Sequence, residues 1–302
     1  MHNLPFDKPG RFWRGNLHTH STRSDGGLTV PDVIDAYRDQ GYDFLVVTDH
    51  FMDRFGFPIV DTREFRTGTF TTLLGAELHA PALSHGERWH LLAVGLPLEF
   101  AIPGENENGP QIATRAIEAG AFLAIAHPNW YSLTLADALT IDAAHAVEIY
   151  NHTANHHNDR GDSWAIADQL LMAGRRLHTI ATDDAHFSTR TDYFGGWVQV
   201  KTELLDPNLL LEALKQGHFY SSQGPEIRDI SIAAGELIVT SSPVRALFLT
   251  GPGSLSRHLR GDRLMSATFP VEPFADTFCR VTVVDDWGRK AWSNPIWLDG
   301  SV

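Results

Sequence analysis

The stretch that decides the fold is "YDFLVVTDH", residues 42–50. Its apolar run, Phe44 to Val47, is too short for a helix and does not alternate, so it reads as a strand buried on both faces. The run then breaks into Thr48, Asp49 and His50, a polar ending that a buried strand does not need for packing. The same pattern recurs along the chain in "GNLHTH" (15–20), "FTTLLGAELH" (70–79), "RWHLLAVG" (88–95), "AFLAIAHP" (121–128), "AHAVEIYN" (144–151) and "RRLHTIATDDAH" (175–186). Between these runs lie helical patterns. "TVPDVIDAYRDQG" (29–41) has Thr29 as a cap, an apolar face of Val33, Ile34 and Tyr37, and Gly41 as a stop. "QIATRAIEAG", "SWAIADQLLMAG" and "PNLLLEALKQG" repeat the theme. The rhythm predicts an α/β fold built from βα units around a closed or nearly closed parallel sheet, whose polar strand ends share one face.

After about Pro225 the texture changes to short, alternating, β-branched segments with Gly, Pro and Asp turns, as in "TFCRVTVVDDWGRKAW". This predicts two domains, an α/β barrel over residues 1–224 and a small antiparallel β-sandwich-like domain over 225–302.

Bulk properties narrow the function. With 37 acidic and 24 basic residues the net charge is −13, which disfavours a nucleic-acid surface. A lone cysteine, Cys279, excludes an internal disulfide and a thiolate zinc motif. The first sixteen residues lack the apolar core of a secretory signal, and no apolar run reaches membrane-spanning length, so a cytoplasmic location is expected, with no membrane partner. The composition is unusual in its 16 histidines.

Those histidines gather at the strand ends. His18 and His20 are one strand step apart and point to one side. Asp25 follows in a turn with Gly26 and Gly27. Asp49 and His50 end the next strand, Glu77 and His79 the one after. His90, His127, Asp184 and His186 complete the set, with Asp183 beside Asp184. Nitrogen and oxygen donors without thiolate suit Zn, Mn or Fe. There are more candidates than one ion can use, so two or more ions are implied, with Glu77 the natural bridge. Strand parity turns Asp184 and His186 to one centre and Asp183 the other way. Asp183 is then left to orient a ligand or to cap the following loop.

In order, "LHTHSTRSDG", "VTDH", "GAE", "HLLAVG", "AHP" and "TDDAH" resemble the motifs of the polymerase-and-histidinol-phosphatase (PHP) metal-dependent hydrolases. The resemblance covers about residues 14–222 and is greatest to the CehA/McbA-like phosphoesterase branch, because "GHFYSSQGPEI" leads into a β domain. It implies a distorted seven-stranded (β/α) barrel holding two or three divalent ions, in a binuclear or trinuclear centre. By that resemblance His18, His20, Glu77 and Asp184 hold one ion, His90 and His127 complete a second, and Asp25, His50 and His186 form a third or assist the second.

The expected reaction is hydrolysis of a small phosphate ester, of nucleotide or sugar-phosphate class, by a metal-activated hydroxide held by Glu77 and neighbouring ligands. Arg23, Arg190 and Arg160 are candidates to meet the phosphoryl oxygens. Asn151 and His218 are further substrate-binding candidates, and Asp183, Asp49 and His79 are expected around the ligands. Glu148 reads as a satisfied structural acid, and "NHTANHHND" (151–159) as a polar loop. The alternatives are an amide or carbamate hydrolase, a 3′ exonuclease and a non-catalytic metal-stabilised binding module.

Overall fold

The computed structural model describes residues 4–188 and 191–299. The first ten strands are β1 (Arg11–Asn16), β2 (Phe44–Val47), β3 (His50–Phe51), β4 (Thr71–Ala80), β5 (Trp89–Val94), β6 (Phe122–Ile125), β7 (Ala146–Asn151), β8 (His178–Thr182), β9 (Trp197–Thr202) and β10 (Phe219–Ser222). Six strands follow: β11 (Ile227–Ala233), β12 (Glu236–Thr250), β13 (Ser256–Pro270), β14 (Phe278–Val284), β15 (Lys290–Ser293) and β16 (Ile296–Trp297). The helices are α1 (Val30–Asp39), α2 (Gly109–Glu118), α3 (Leu135–Ala138), α4 (His152–Asn158), α5 (Trp164–Met172) and α6 (Pro207–Gln216).

Local chemistry sets the helix ends. Thr29 accepts from the Asp32 amide at the start of α1, and Asn108 with Gln111 forms a capping box on α2. Asp206 caps α6, and Gly217, at φ 74°, ends it. Residues 152–158 are helical rather than a loop: Asn151 caps α4 through the Ala154 amide, and Asp159 stops it in the left-handed region. The segment has too few apolar residues to show a helical period, so the cap was its only sequence signal.

All the strands belong to one large mixed sheet, ordered β11-β12-β14-β15-β10-β9-β1-β2-β4-β5-β6-β7-β8 along its main path. The expectation of a parallel sheet is corrected here. Pairs β1–β2, β2–β4, β6–β7 and β7–β8 are parallel, but β4–β5, β5–β6 and β1–β9 are antiparallel. For β4–β5 the physical reason lies in the connection: residues 81–88 are too few for the crossover that a parallel neighbour needs. The C-terminal strands are antiparallel, as expected, and join the same sheet where β15 pairs with β10.

One apolar cluster takes Phe44, Leu73, Leu92, Phe122, Ala146, Ile180 and Val198 from seven strands, so these strands turn one face toward a common interior. Past β1 the chain runs between the ends of β2 and β8. Thr48 donates to the Thr19 carbonyl, Asp184 to the His18 carbonyl, and Thr19 bridges Ala185 in parallel. This brings together the C-terminal ends of strands distant in sequence. Among the described residues no helix is long and apolar enough to cross a membrane.

Candidate metal centre

The polar strand ends converge. His18 and His20 stand on the segment after β1, His50 on β3, Glu77 and His79 on β4, and His90 on β5. His127, at φ 23°, follows β6, and Asp184, at φ 57°, follows β8. Both non-glycine residues hold left-handed backbone, the kind of strain that persists where surrounding structure fixes a functional geometry. Asp184 and His186 both reach the cluster, in separate donor groups. They do so because β8 stops at Thr182 and the chain turns at Asp184, not because a regular strand continues.

Glu77 is fully buried at the middle. Its Oε1 lies 2.8 Å from His90 Nδ1 and 3.0 Å from His127 Nε2. Its Oε2 lies 2.5 Å from His50 Nδ1, 3.4 Å from His79 Nε2, 3.7 Å from His20 Nε2 and 3.8 Å from His18 Nε2. Asp184 Oδ1 is 2.8 Å from His20 Nε2 and 3.2 Å from His18 Nε2. Asp25 is exposed, with Oδ1 3.3 Å from His50 Nε2 and 3.6 Å from His186 Nε2. All nine expected ligands are therefore brought together.

Their donor atoms fall into overlapping groups within 4.8 Å: His18–His20–Glu77, His18–His127–Asp184, Glu77–His90–His127, His50–Glu77–His79 and His20–Asp25–His50–His186. Two features depart from the expected partition. His20 also belongs with the Asp25 group, and His79 reaches the cluster itself, with Nε2 2.8 Å from His50 Nδ1.

Donor chemistry and unmet bonding both fit divalent ions. Buried His18 Nε2 and Glu77 Oε2 make no well-aligned hydrogen bond, although Asp184 and His50 crowd them at 3.2 and 2.5 Å, and a poorly satisfied buried polar atom is costly unless something else binds it. Burial, with His50 and His186 nearby, pulls His20 down to about 3, leaving its lone pair free for a metal. Burial also takes His90 to about 3, against the pull of Glu77. At His50 burial acts the same way but is outweighed by Glu77 and Asp25, and the imidazole rises to about 10.

A supporting layer fixes these rings. His18 Nδ1 lies 3.1 Å from Glu148 Oε1, so the carboxylate sets the tautomer that turns Nε2 inward. Glu148 also accepts from the His127 amide at 2.6 Å, from Asn151 and from Thr182. It is thus a positioning residue, which no feature of "VEIYN" alone reveals. Asn151 is buried and donates to Asp184 Oδ2 at 3.1 Å, so it orients a ligand instead of lining the substrate space. Asp49 accepts from Ser21 and Ser24 and thereby pins the loop that carries Asp25. Asp183 faces away and contacts no ligand ring. It accepts from Asn16, Tyr37, Phe194, Gly195 and Gly196. Gly195 is needed there, because a Cβ would sit 2.1 Å from the His152 ring.

Above the cluster opens a cleft of about 410 Å³, lined by Asp25, His50, His90, His127, Asp184 and His186 and by Trp130, Thr153, His157, Ser188 and Asp192. Trp130 and His157 meet at its rim with their rings tilted 51° and their centroids 4.8 Å apart. Trp130 went unmarked in the sequence, since nothing local ties an aromatic after "HPN" to a strand-end cluster, and His157 falls in "NHTANHHND", read there as a polar loop. Arg23 is exposed and does not line the cleft. Arg160 donates to the Trp130 carbonyl and Ser132 hydroxyl, bracing the rim from outside. Arg190 lies outside the described residues. His218 is a correction: it lies beside Lys8, Pro9 and Lys201, and Lys201 pairs with Phe12 at the start of β1, the end away from His18.

No family model matches the chain, and no curated protein does. Among solved structures it is similar to a two-domain protein containing a predicted PHP-like metal-dependent phosphoesterase from Bacteroides vulgatus. The TM-score is 0.54 at 17% identity, over 96% of this chain and 98% of that one. Weaker likenesses are to a candidate metal-dependent phosphoesterase from Bifidobacterium adolescentis (TM-score 0.45, 15% identity, 67% of this chain and 96% of that one) and to an amidohydrolase from Chromobacterium violaceum with bound sulfate (0.40, 14%, 57% and 87%). In fold, the chain is PHP-like.

Proposed function

We propose that this chain is a metal-dependent phosphoesterase of the CehA/McbA-like kind, hydrolysing a small phosphate ester of nucleotide or sugar-phosphate class. The observation that carries the reading is Glu77, buried among imidazoles from five separate segments, with one oxygen within 3.8 Å of ring nitrogens of His18, His20, His50 and His79. His18, His20, Glu77 and Asp184 would hold one ion, Glu77, His90 and His127 a second, and Asp25, His50 and His186, with His20, a third; Zn, Mn and Fe all suit these donors. We take the curled sheet face as the distorted barrel of that family, residues 225–302 as its accessory domain, and the cytoplasm as its location.

Divalent ions bound here supply Lewis acidity, making water nucleophilic near neutral pH and offsetting charge on a leaving alkoxide. The chain's own residues do the rest. Glu148 keeps the His18 Nε2 lone pair aimed inward, and Asn151 holds Asp184 by one oxygen so that the other faces His18 and His20. The His186 Nδ1–H donates to the Asp184 carbonyl at 2.7 Å, which leaves Nε2 to face Asp25 and the cleft. Trp130 and His157 border the space where a leaving group would sit, and His157 would give it a proton.

One observation favours a second reading, hydrolysis of an amide or carbamate. Among the described residues, none that lines the cleft is Arg or Lys, whereas a phosphoryl group normally recruits such partners. The test is hydrolysis of 4-nitrophenyl phosphate and of an aryl carbamate by the protein as purified, after chelation, and after metal is restored. Phosphate release that stops on chelation and returns with metal is expected. Carbamate turnover without any phosphoester turnover would overturn the first reading in favour of the second.

A further inference from the structure

Far from the histidines, the C-terminal strands build a second concave site. Ala246 on β12 pairs with Arg260 on β13 and with Val284 on β14, and Val284 pairs with Lys290 on β15. These four residues therefore form one row across the sheet, with two small side chains in the middle and a long cation on each bank. Three strand spacings separate the banks, about 14 Å. An Arg and a Lys side chain reaching inward from each side close most of that distance.

A third cation joins them. The β12–β13 register shifts between Val244 and Ala246, so Arg245 sits at a bulge, a device that re-aims a side chain. Its guanidinium comes to the Gly288 turn, two residues from Lys290. Arg260 lies over the Phe248 ring, 5.2 Å from its centroid, which forms part of the floor. The resulting cleft is about 320 Å³, and no carboxylate lines it. Among the described residues none of the three cations forms a salt bridge, in a chain whose net charge is −13. Three cations without a carboxylate partner thus gather around a small-residue floor, where their mutual repulsion is unfavourable.

We propose that this trough is a binding site for a phosphoryl group carried on a small molecule. A phosphate monoester or phosphonate is close to a dianion at neutral pH and offers three acceptor oxygens, matching three cationic donors. A sulfonate of the same shape carries one charge and matches less well. The cations surround one compact hollow and do not run as a stripe, which suits a single tetrahedral group more than a polymer backbone. The site is independent of the metal centre and of the reaction assigned to it.

Calorimetric titration of the metal-loaded protein with phenylphosphonate, which has no hydrolysable P–O ester bond, tests the proposal. The readout is binding rather than turnover. A site that persists when the metals are chelated is expected. The variant Arg245→Gln/Arg260→Gln/Lys290→Gln should lose that site while keeping its Tm and its metal content. Each single change should weaken it about tenfold or more, and benzenesulfonate should bind at least tenfold less tightly. Arg257→Gln and Arg263→Gln, changes to exposed arginines that do not line the trough, should leave binding unchanged. If the chelated wild type binds no phosphonate, or if the two control changes weaken binding as much as the trough changes do, the proposal is overturned. A metal centre that fails to bind phosphonate would count against the phosphoesterase reading alone.

Discussion

Replacing Asp183 by Asn tests whether this carboxylate is a structural anchor. In the native chain Oδ1 accepts from the Gly195 and Gly196 amides at 2.7 and 2.9 Å. Oδ2 accepts from Asn16 Nδ2 and Tyr37 Oη at 2.7 Å each and from the Phe194 amide at 2.8 Å. Five donors surround the group, and among them only the Tyr37 hydroxyl can also accept. Asparagine fills the same volume but must point an NH₂ at one of these two sets. The better orientation leaves the two glycine amides unpaired and buried, and each costs about 1–3 kcal/mol. The expected destabilisation is therefore about 2–6 kcal/mol. At about 2–4 °C per kcal/mol, the midpoint should fall by roughly 4–24 °C. Scanning calorimetry of metal-loaded and chelated protein measures it, and the loss should appear in both forms because no ligand ring touches Asp183. A midpoint within 1 °C of wild type would refute the anchor reasoning. A drop seen only in the metal-loaded protein would instead make Asp183 part of the metal site.

Two further outcomes follow from the ligand geometry. Glu148→Gln removes the acceptor that fixes the His18 tautomer, so metal affinity should fall about 10–100-fold in competition with a chromophoric chelator; unchanged affinity would show that His18 does not ligate through Nε2. Metal binding should also release a proton. In the metal-free protein His50 is raised to about 10, so it is charged at pH 8 and must lose its proton to bind, whereas His20, lowered to about 3, is already neutral. For a group raised in the folded state, the stabilisation is complete below the unfolded value near 6.5 and is lost as pH rises through about 10. Metal-free protein should thus lose stability over that window while its metal affinity rises. Calorimetry in buffers of different ionisation enthalpy counts the proton, and no release at pH 8 would contradict the assignment.

Much of this site was legible because burial and polarity conflict in a short strand. "VVTDH", "GAELH" and "IAHP" each put a ligand where packing alone would put an apolar residue, and the structure draws those ends together. Long-range geometry was less legible. Asn151 and Glu148 looked like residues for substrate and for structure, respectively, but their roles depend on Asp184 and His18, 33 and 130 positions away. His218 follows the last helix of the α/β portion as a pocket residue would, yet antiparallel pairing of β9 and β10 carries it to the other end. The mixed sheet was foreshadowed only by a short connection between "GAELH" and "RWHLL". His79 shares its strand face with Glu77 by parity, but only the coordinates show how near it comes to His50.

The central claim is that the strand-end histidines and carboxylates form a centre for more than one ion around Glu77. Elemental analysis of protein purified without added metal and then equilibrated with the metal it retains, beside Glu77→Gln, tests it most directly. At least two transition-metal ions per wild-type chain are expected, with metal and hydrolytic activity lost together in the variant. A variant that keeps its full metal complement, or a wild type that turns over substrate with less than one ion per chain, would contradict the account.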